Sequence, residues 1–248
     1  MHLSTLIGIL LVLAACGVGV YQYLLIQHAQ AIGQPMARAA IPYEQHPSSP
    51  TLHFLVAGDS TAVGTGSLDP KLSTAGRLGT ACPDADLTNI GVNGEEAPEL
   101  AAKLAALPAG THYDLALLQI GANDAVYFGS LAKTQLAIAS ILAWSDTHAS
   151  STIILMSGDI GLSPVFVLPL SWVMSARTRA IRALYLAEVP RHPQATFVDI
   201  YGSSINADFG SGSLEYYAPD HFHPNALGYG LWYGEIEKVL PPSLKQQR

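Results

Sequence analysis

Four short blocks of this sequence carry the residue types that an acyl-transfer site needs. The first is Gly58-Asp59-Ser60. A serine beside a glycine, just past an apolar run, can be presented at the start of a helix, where free N–H groups surround its hydroxyl. The second is Asn89-Ile90-Gly91-Val92-Asn93-Gly94, with Glu95-Glu96 behind it. A glycine here either lets a backbone N–H approach a ligand closely or simply supplies positive φ for a turn. The third is Gly121-Ala122-Asn123-Asp124, whose Asn123 amide offers an NH₂ donor to a developing oxyanion. The fourth is Asp220-His221-Phe222-His223. A carboxylate three residues before an imidazole can fix its tautomer and leave the other ring nitrogen free to take a serine proton.

Each block also has a plainer reading. Gly-Asp-Ser is an ordinary turn followed by a helix cap, Asn123-Asp124 is another cap, and neighbouring Asp and His are frequently structural. Ala62 stands where a Gly-x-Ser-x-Gly elbow would end, and no Gly-Lys-Ser/Thr follows to make a phosphate loop. His221 and His223 raise the question of a metal, but no third ligand stands at a convincing spacing. Neither a metal nor a cofactor is expected.

What weighs the blocks is where the surrounding elements place them. Apolar runs at 52–57, 87–92, 115–120, 152–156 and 196–200 read as strands. Helix-like stretches lie at 70–82, 96–107, 130–148, 172–190 and 224–240. Strands alternating with helices predict parallel βαβ units in an α/β sandwich, and near-continuous apolar strands fit a sheet covered on both faces. Ligands of such sheets bind beyond the carboxyl ends of the strands. The four blocks fall just after strands one, two and three and in the last loop, so signals that are weak singly converge on one site.

Taken together, the blocks resemble those of the SGNH (GDSL-type) hydrolases, over roughly residues 52–240. The resemblance implies a three-layer α/β/α flavodoxin-like sandwich around a five-stranded parallel sheet of order 2-1-3-4-5. It implies Ser60 as nucleophile, His223 as general base and then acid, and Asp220 as the residue that orients it. The oxyanion hole would be the N–H groups of Ser60 and Gly94 with the Asn123 amide. Gly94 is preferred to Gly91 by its position in the block. Glu95-Glu96 stand where a small polar residue is more usual, so a local negative charge is expected to bear on substrate preference. The implied activity is that of a carboxylesterase or lipase-like serine hydrolase, working through an acyl-enzyme on small-molecule or acyl esters. Two alternatives stay open: an envelope glycan O-acetylesterase or acyltransferase, and a membrane-tethered binding protein that keeps the fold without turnover.

Ahead of this domain, residues 3–26 form an apolar run, and the first charged side chain is Arg38. As a helix the run spans roughly 36 Å, enough for a bilayer core. Three readings follow, in order of preference. A single-pass anchor suits the length, with Tyr21 and Tyr23 at the interface. Leu13-Ala14-Ala15-Cys16 is similar to a bacterial lipobox, although the residues after Cys16 stay apolar. A cleaved signal peptide ending near Ala29-Gln30-Ala31 would have an unusually long apolar core. The expected organisation is an anchor or signal segment over 1–26, a linker over 27–50 and the hydrolase domain over 51–248, with that domain extracytoplasmic (periplasmic).

The chain is 49% hydrophobic and 12% charged, with a net charge of -7 and no run of Lys and Arg, so the electrostatic footprint of a nucleic-acid binder is missing. Cys16 and Cys82 do not read as a disulfide pair. The stretch 162–174 is apolar and contains Pro164 and Pro169. It reads first as a packed loop leading into a helix, and second as an acyl-binding wall or membrane-contacting flap built on Phe166 and Trp172.

Overall fold

The computed structural model describes residues 3–245. In chain order it contains α1 (Leu3–Ala39), β1 (Leu52–Gly58), α2 (Ser60–Val63), α3 (Thr74–Ala81), β2 (Ala85–Asn89), α4 (Ala97–Ala105) and β3 (Leu115–Gln119). There follow α5 (Ala122–Val126), α6 (Leu131–His148), β4 (Thr152–Met156), α7 (Leu170–Glu188), β5 (Ala195–Asp199), α8 (Ile205–Gly210), α9 (Ala226–Val239) and α10 (Pro242–Lys245). The five strands form one parallel sheet in the order β2-β1-β3-β4-β5, as expected.

The sheet is covered on both faces because alternate residues of its inner strands point to opposite sides. Phe54, Val56, Leu117 and Ile153 pack with Leu78 of α3 and Tyr229, Trp232 and Ile236 of α9. Leu55, Leu118 and Ile154 pack with Leu100 of α4, Ile141 of α6 and Tyr185 of α7. Every residue of β3 and β4 is buried, which is why these strands read as unbroken apolar runs. The edge strand β2 alternates buried and half-buried residues. It begins at Ala85 and ends at Asn89, two or three residues earlier than its apolar residues suggest. Its polar Asp86 and Thr88 pair in register with His53 and Leu55, and the chain then leaves the sheet at Ile90.

The N-terminal segment departs from the expected division. α1 does not stop near Ile26 but continues to Ala39, through Pro35. The rest of the expected linker is tied down as well. Gln45 makes an antiparallel bridge to Leu87 on the outer edge of β2, with backbone bonds of 3.1 and 2.8 Å, and its side-chain amide donates to the carbonyls of Cys82 and Ala85. An edge strand with unpaired N–H and C=O groups is thereby partnered. The consequence is a fixed placement of α1 against the domain.

Asp124 ties two helices to the end of β3. It is fully buried, and its carboxylate accepts from the Ala97 N–H at the start of α4 (3.0 Å) and from the Thr134 hydroxyl of α6 (2.9 Å). Removing it leaves the buried Ala97 N–H without an acceptor, at about 1–3 kcal/mol, and the Thr134 hydroxyl with only its 3.2 Å contact to the Ser130 carbonyl. Asp124→Ala is expected to lower the thermal midpoint by about 2–12 °C, given 2–4 °C per kcal/mol for a domain of this size. A melting curve within a degree of wild type would show that the helices are held by something else.

Candidate active site

β1 ends at Gly58, which has φ 134°, and a Cβ built there would lie 1.8 Å from the Gln119 carbonyl oxygen on β3. Only glycine lets the two strands approach so closely at this point. The Asp59 N–H then donates to that same carbonyl (2.9 Å), and the chain turns directly into α2. Asp59 caps α2, its Oδ1 accepting from the Thr61 N–H (2.8 Å) and the Thr61 hydroxyl (2.7 Å). Ser60 is thus the first residue of the helix, held almost buried at the carboxyl end of the sheet.

The partner of Ser60 comes from the far end of the chain. His223 Nε2 lies 3.0 Å from Ser60 Oγ. Its Nδ1 lies 2.5 Å from Asp220 Oδ2, while Asp220 Oδ1 accepts from the N–H groups of Phe222 and His223, both at 3.1 Å. These residues form a loop rather than a helical turn. His221 has φ 57°, and its carbonyl accepts from the Ser163 hydroxyl. Pro224 lies outside the following helix. Asn225 caps α9 instead, accepting from Leu227 and Gly228. His223, not His221, therefore meets the serine. Among the described residues, no group of three or more His, Cys, Asp or Glu side chains is arranged to hold a metal.

The electrostatics of the two aspartates differ. Burial pushes the Asp220 carboxyl up, but the bond and charge of His223 together with the two backbone donors outweigh it, and the net shift is down. Asp220 is thereby held as a carboxylate behind the imidazole. Asp59, also buried, is pushed up to about 6, chiefly by burial against the opposing pull of its Thr61 bonds.

The expected oxyanion donors gather at the same place. Gly94 and Asn123 line the cleft with Ser60 and His223. Gly91 packs instead under α2, where a Cβ would meet Ala62 and Val63 at 3.0 Å. One N–H of the Asn123 amide donates to the Glu95 carbonyl (3.0 Å), which fixes the amide plane and leaves its second N–H uncommitted by that bond. The glutamates stand back from the cleft lining. Glu95 is buried in an ion pair with Lys103 (2.7 Å), and Glu96 enters the α4 cap, its N–H donating to Glu99. Neither carboxylate lines the cleft.

Several residues of the site carry no motif. The Tyr229 hydroxyl of α9 donates to the Thr65 carbonyl (2.8 Å), the Thr65 hydroxyl to Asn93 (2.6 Å), and the Asn93 amide to the Ala37 carbonyl of α1 (2.9 Å). This chain ties the serine loop to the glycine loop and to the N-terminal helix. The stretch 162–174 divides: Val165, Phe166, Leu170 and Met174 line the cleft, whereas Trp172 is exposed. The stretch is packed as a loop leading into a helix, Phe166 resting against the core, and Phe166 is at the same time a wall of the cleft.

A family model for the GDSL-like lipase/acylhydrolase family matches residues 56–231. No curated protein matches the sequence. Among solved structures, TesA superposes with a TM-score of 0.61 at 20% identity, covering 77% of this chain and 98% of that one. Axe2, an acetylxylan esterase from Geobacillus stearothermophilus, gives 0.53 at 18% identity, covering 77% and 94%. The psychrotrophic esterase EstA from Pseudoalteromonas sp., in a structure inhibited by monoethylphosphonate, gives 0.54 at 18% identity, covering 76% and 96%. At these identities the likeness is one of fold.

Asp59 gives a pH signature. Its folded pKa of about 6 lies above the unfolded value of about 3.8, so the folded protein binds the proton more tightly. Stability then falls as pH rises between these values. The penalty is complete above about 6, absent below about 4, and at most on the order of 3 kcal/mol. Asp59→Asn keeps the acceptor oxygen for Thr61 and cannot ionise. The stability difference, variant minus wild type, is expected to grow from pH 4 to pH 7 in paired denaturant titrations. A difference independent of pH would contradict the assignment.

Proposed function

The chain belongs to the GDSL-like lipase/acylhydrolase family and is a serine hydrolase of ester bonds, and from that premise we propose that it cleaves carboxylic esters through an acyl-enzyme on Ser60, at the surface of a membrane. The observation that carries this reading is the 3.0 Å approach of His223 Nε2 to Ser60 Oγ, with Asp220 behind the other ring nitrogen.

Each residue has a role in the scheme. His223 takes the Ser60 proton as Oγ attacks the ester carbonyl, and the carbonyl electrons move onto its oxygen. The N–H groups of Ser60 and Gly94 and the free N–H of Asn123 receive that oxyanion. Asp220 stabilises the imidazolium. Collapse of the intermediate breaks the C–O bond to the alcohol, which leaves with the proton from His223. Water, deprotonated by the same imidazole, attacks the acyl-enzyme and releases the acid, and Ser60 regains its proton. No cofactor enters these steps.

α1 supplies the membrane part of the proposal. It is long and apolar enough to cross a bilayer, and its most apolar window is entirely exposed. We read it as a single-pass anchor, or as the tether left by lipidation at Cys16, with the catalytic domain on the extracytoplasmic side. Cleavage near Ala31 fits less well, because it would remove Gln22, whose side chain grips the backbone of Val165 and Val167 (2.8 Å each). The apolar cleft wall around Phe166 favours an acyl ester over an acetylated glycan.

A fluorophosphonate probe is expected to label the wild-type protein and not Ser60→Ala, and that variant should lose about 10³-fold or more in ester turnover. Asn123→Ala should lose about 10²–10³-fold in kcat, the usual size for one oxyanion donor. Wild-type esterase activity in Ser60→Ala would sink the nucleophile assignment.

A further inference from the structure

α1 changes its surroundings along its length. Residues 3–20 are exposed on every side and carry no charge, and at 1.5 Å per residue they span roughly 27 Å, close to a bilayer core. From Gln22 onward one face lies against the catalytic domain. Leu25, Ile26, Ala29, Ile32, Gly33 and Met36 are partly or fully buried, at the three- and four-residue spacing of a helix face. Three contacts fix the register. Gln22 clasps the 165–167 loop at both its amide atoms, Ala37 accepts from Asn93 (2.9 Å), and Gly33 sits against the triad itself. A Cβ on Gly33 would lie 2.8 Å from Asp220 Oδ2, so a larger residue there must displace either the helix or the carboxylate.

Between α1 and the domain lies a cavity of about 610 Å³. Ile26 and Ala29 form one side, Phe166, Leu170 and Met174 another, and Ser60 and His223 open into it. Its size is that of a ligand site, not of a packing defect.

We propose that residues 26–37 of α1 are one wall of the acyl-binding cleft, and that its occupant is the long acyl chain of a membrane-resident ester, which reaches Ser60 from the bilayer along this helix. The inference rests on Ser60 as nucleophile and goes beyond it. The argument is positional. Ile26 follows the last residue of the exposed run by six positions, roughly 9 Å of helix, so the cleft opens at the depth of the lipid headgroups. The loop that Gln22 clasps continues into Leu168 and Trp172, which are 53% and 69% exposed and give the same rim a second apolar contact with the bilayer. An acetyl group would leave most of the cavity unfilled, whereas a long chain covers its apolar walls.

The full-length protein in lipid nanodiscs tests this directly. It is treated with a long-chain alkyl fluorophosphonate bearing a diazirine near the chain end, irradiated, digested and mapped by mass spectrometry. The expected result is a label on Ser60 with cross-links within residues 22–37 and 165–174. A label on Ser60 with cross-links only elsewhere overturns the α1 wall and leaves the nucleophile standing. Absence of the Ser60 label overturns both. A second measurement uses Ala29→Trp, which fills the cleft from α1. The ratio of kcat/KM for a dodecanoyl over an acetyl ester should fall at least tenfold, and an unchanged ratio in a folded variant overturns the proposal.

Discussion

Ser60 and His223 stand 163 residues apart in the chain, and the proposed chemistry requires their side chains to meet at hydrogen-bond distance. Most of what is unusual in this fold serves that meeting. On one side, Gly58 lets β1 press against the β3 backbone, so that Ser60 emerges at a height set by the sheet and not by a loop. On the other, Asn225 caps α9 and its amide holds the carbonyls of Glu215 and Tyr217, which pins the loop carrying Asp220 and His223. The Tyr229 hydroxyl then reaches from α9 back to the serine loop. Each anchor is a hydrogen bond or a close backbone approach inside packed structure, where a displaced atom has nowhere to relax.

Three buried aspartates lie around this site, and their environments separate them. Asp220 faces an imidazole and two backbone donors, and is held low. Asp59 has the Thr61 backbone and hydroxyl donors, too little to offset its burial. Asp124 is likewise pushed up by burial, and its donors are the Ala97 N–H and the Thr134 hydroxyl. Of the three, Asp220 is the one hydrogen-bonded to His223, where the proposed mechanism develops charge. The other two act on the backbone: one shapes the helix start at Ser60, the other sets α4 and α6 against β3. In the proposed scheme the Asp of the Gly-Asp-Ser block and the Asp of the Gly-x-Asn-Asp block therefore belong to the architecture of the site rather than to its chemistry.

The inner strands were legible because burial on both faces leaves a continuous apolar run, and the converging blocks because strand ends mark where a ligand site forms; the sheet order came only from the resemblance to the GDSL-type hydrolases. The edge strand β2 was read late, since one exposed side admits Asp86 and Thr88 and hides its start. The glutamates after Gly94 misled for a related reason: sequence shows a charge but not its partner, and Lys103, eight residues on from Glu95, is brought round by the first turns of α4. Phe166 and Trp172 were indistinguishable as apolar residues of one stretch. Phe166 stands in the loop and faces the cleft, whereas Trp172 lies in the first turn of α7 and faces solvent.

The boundary of α1 is the most instructive miss. Read by composition, the apolar run ends at Ile26, because Gln27, His28 and Gln30 follow. Read by period, Leu25, Ile26, Ala29, Ile32, Gly33 and Met36 continue as one face for three more turns, with Gln30 and Gln34 beside it at the edge of the cleft. A helix that only tethers an enzyme has no need of such a face, nor of a glycine where it passes a catalytic carboxylate. A helix that both crosses the bilayer and closes a cleft needs both. In the proposed placement its first half faces lipid on all sides, and its second half makes apolar contact on one. On this reading the position of the cleft relative to the membrane is set by helical register, and a residue inserted between Tyr21 and Gln22 would rotate the wall by about 100° without touching any catalytic group.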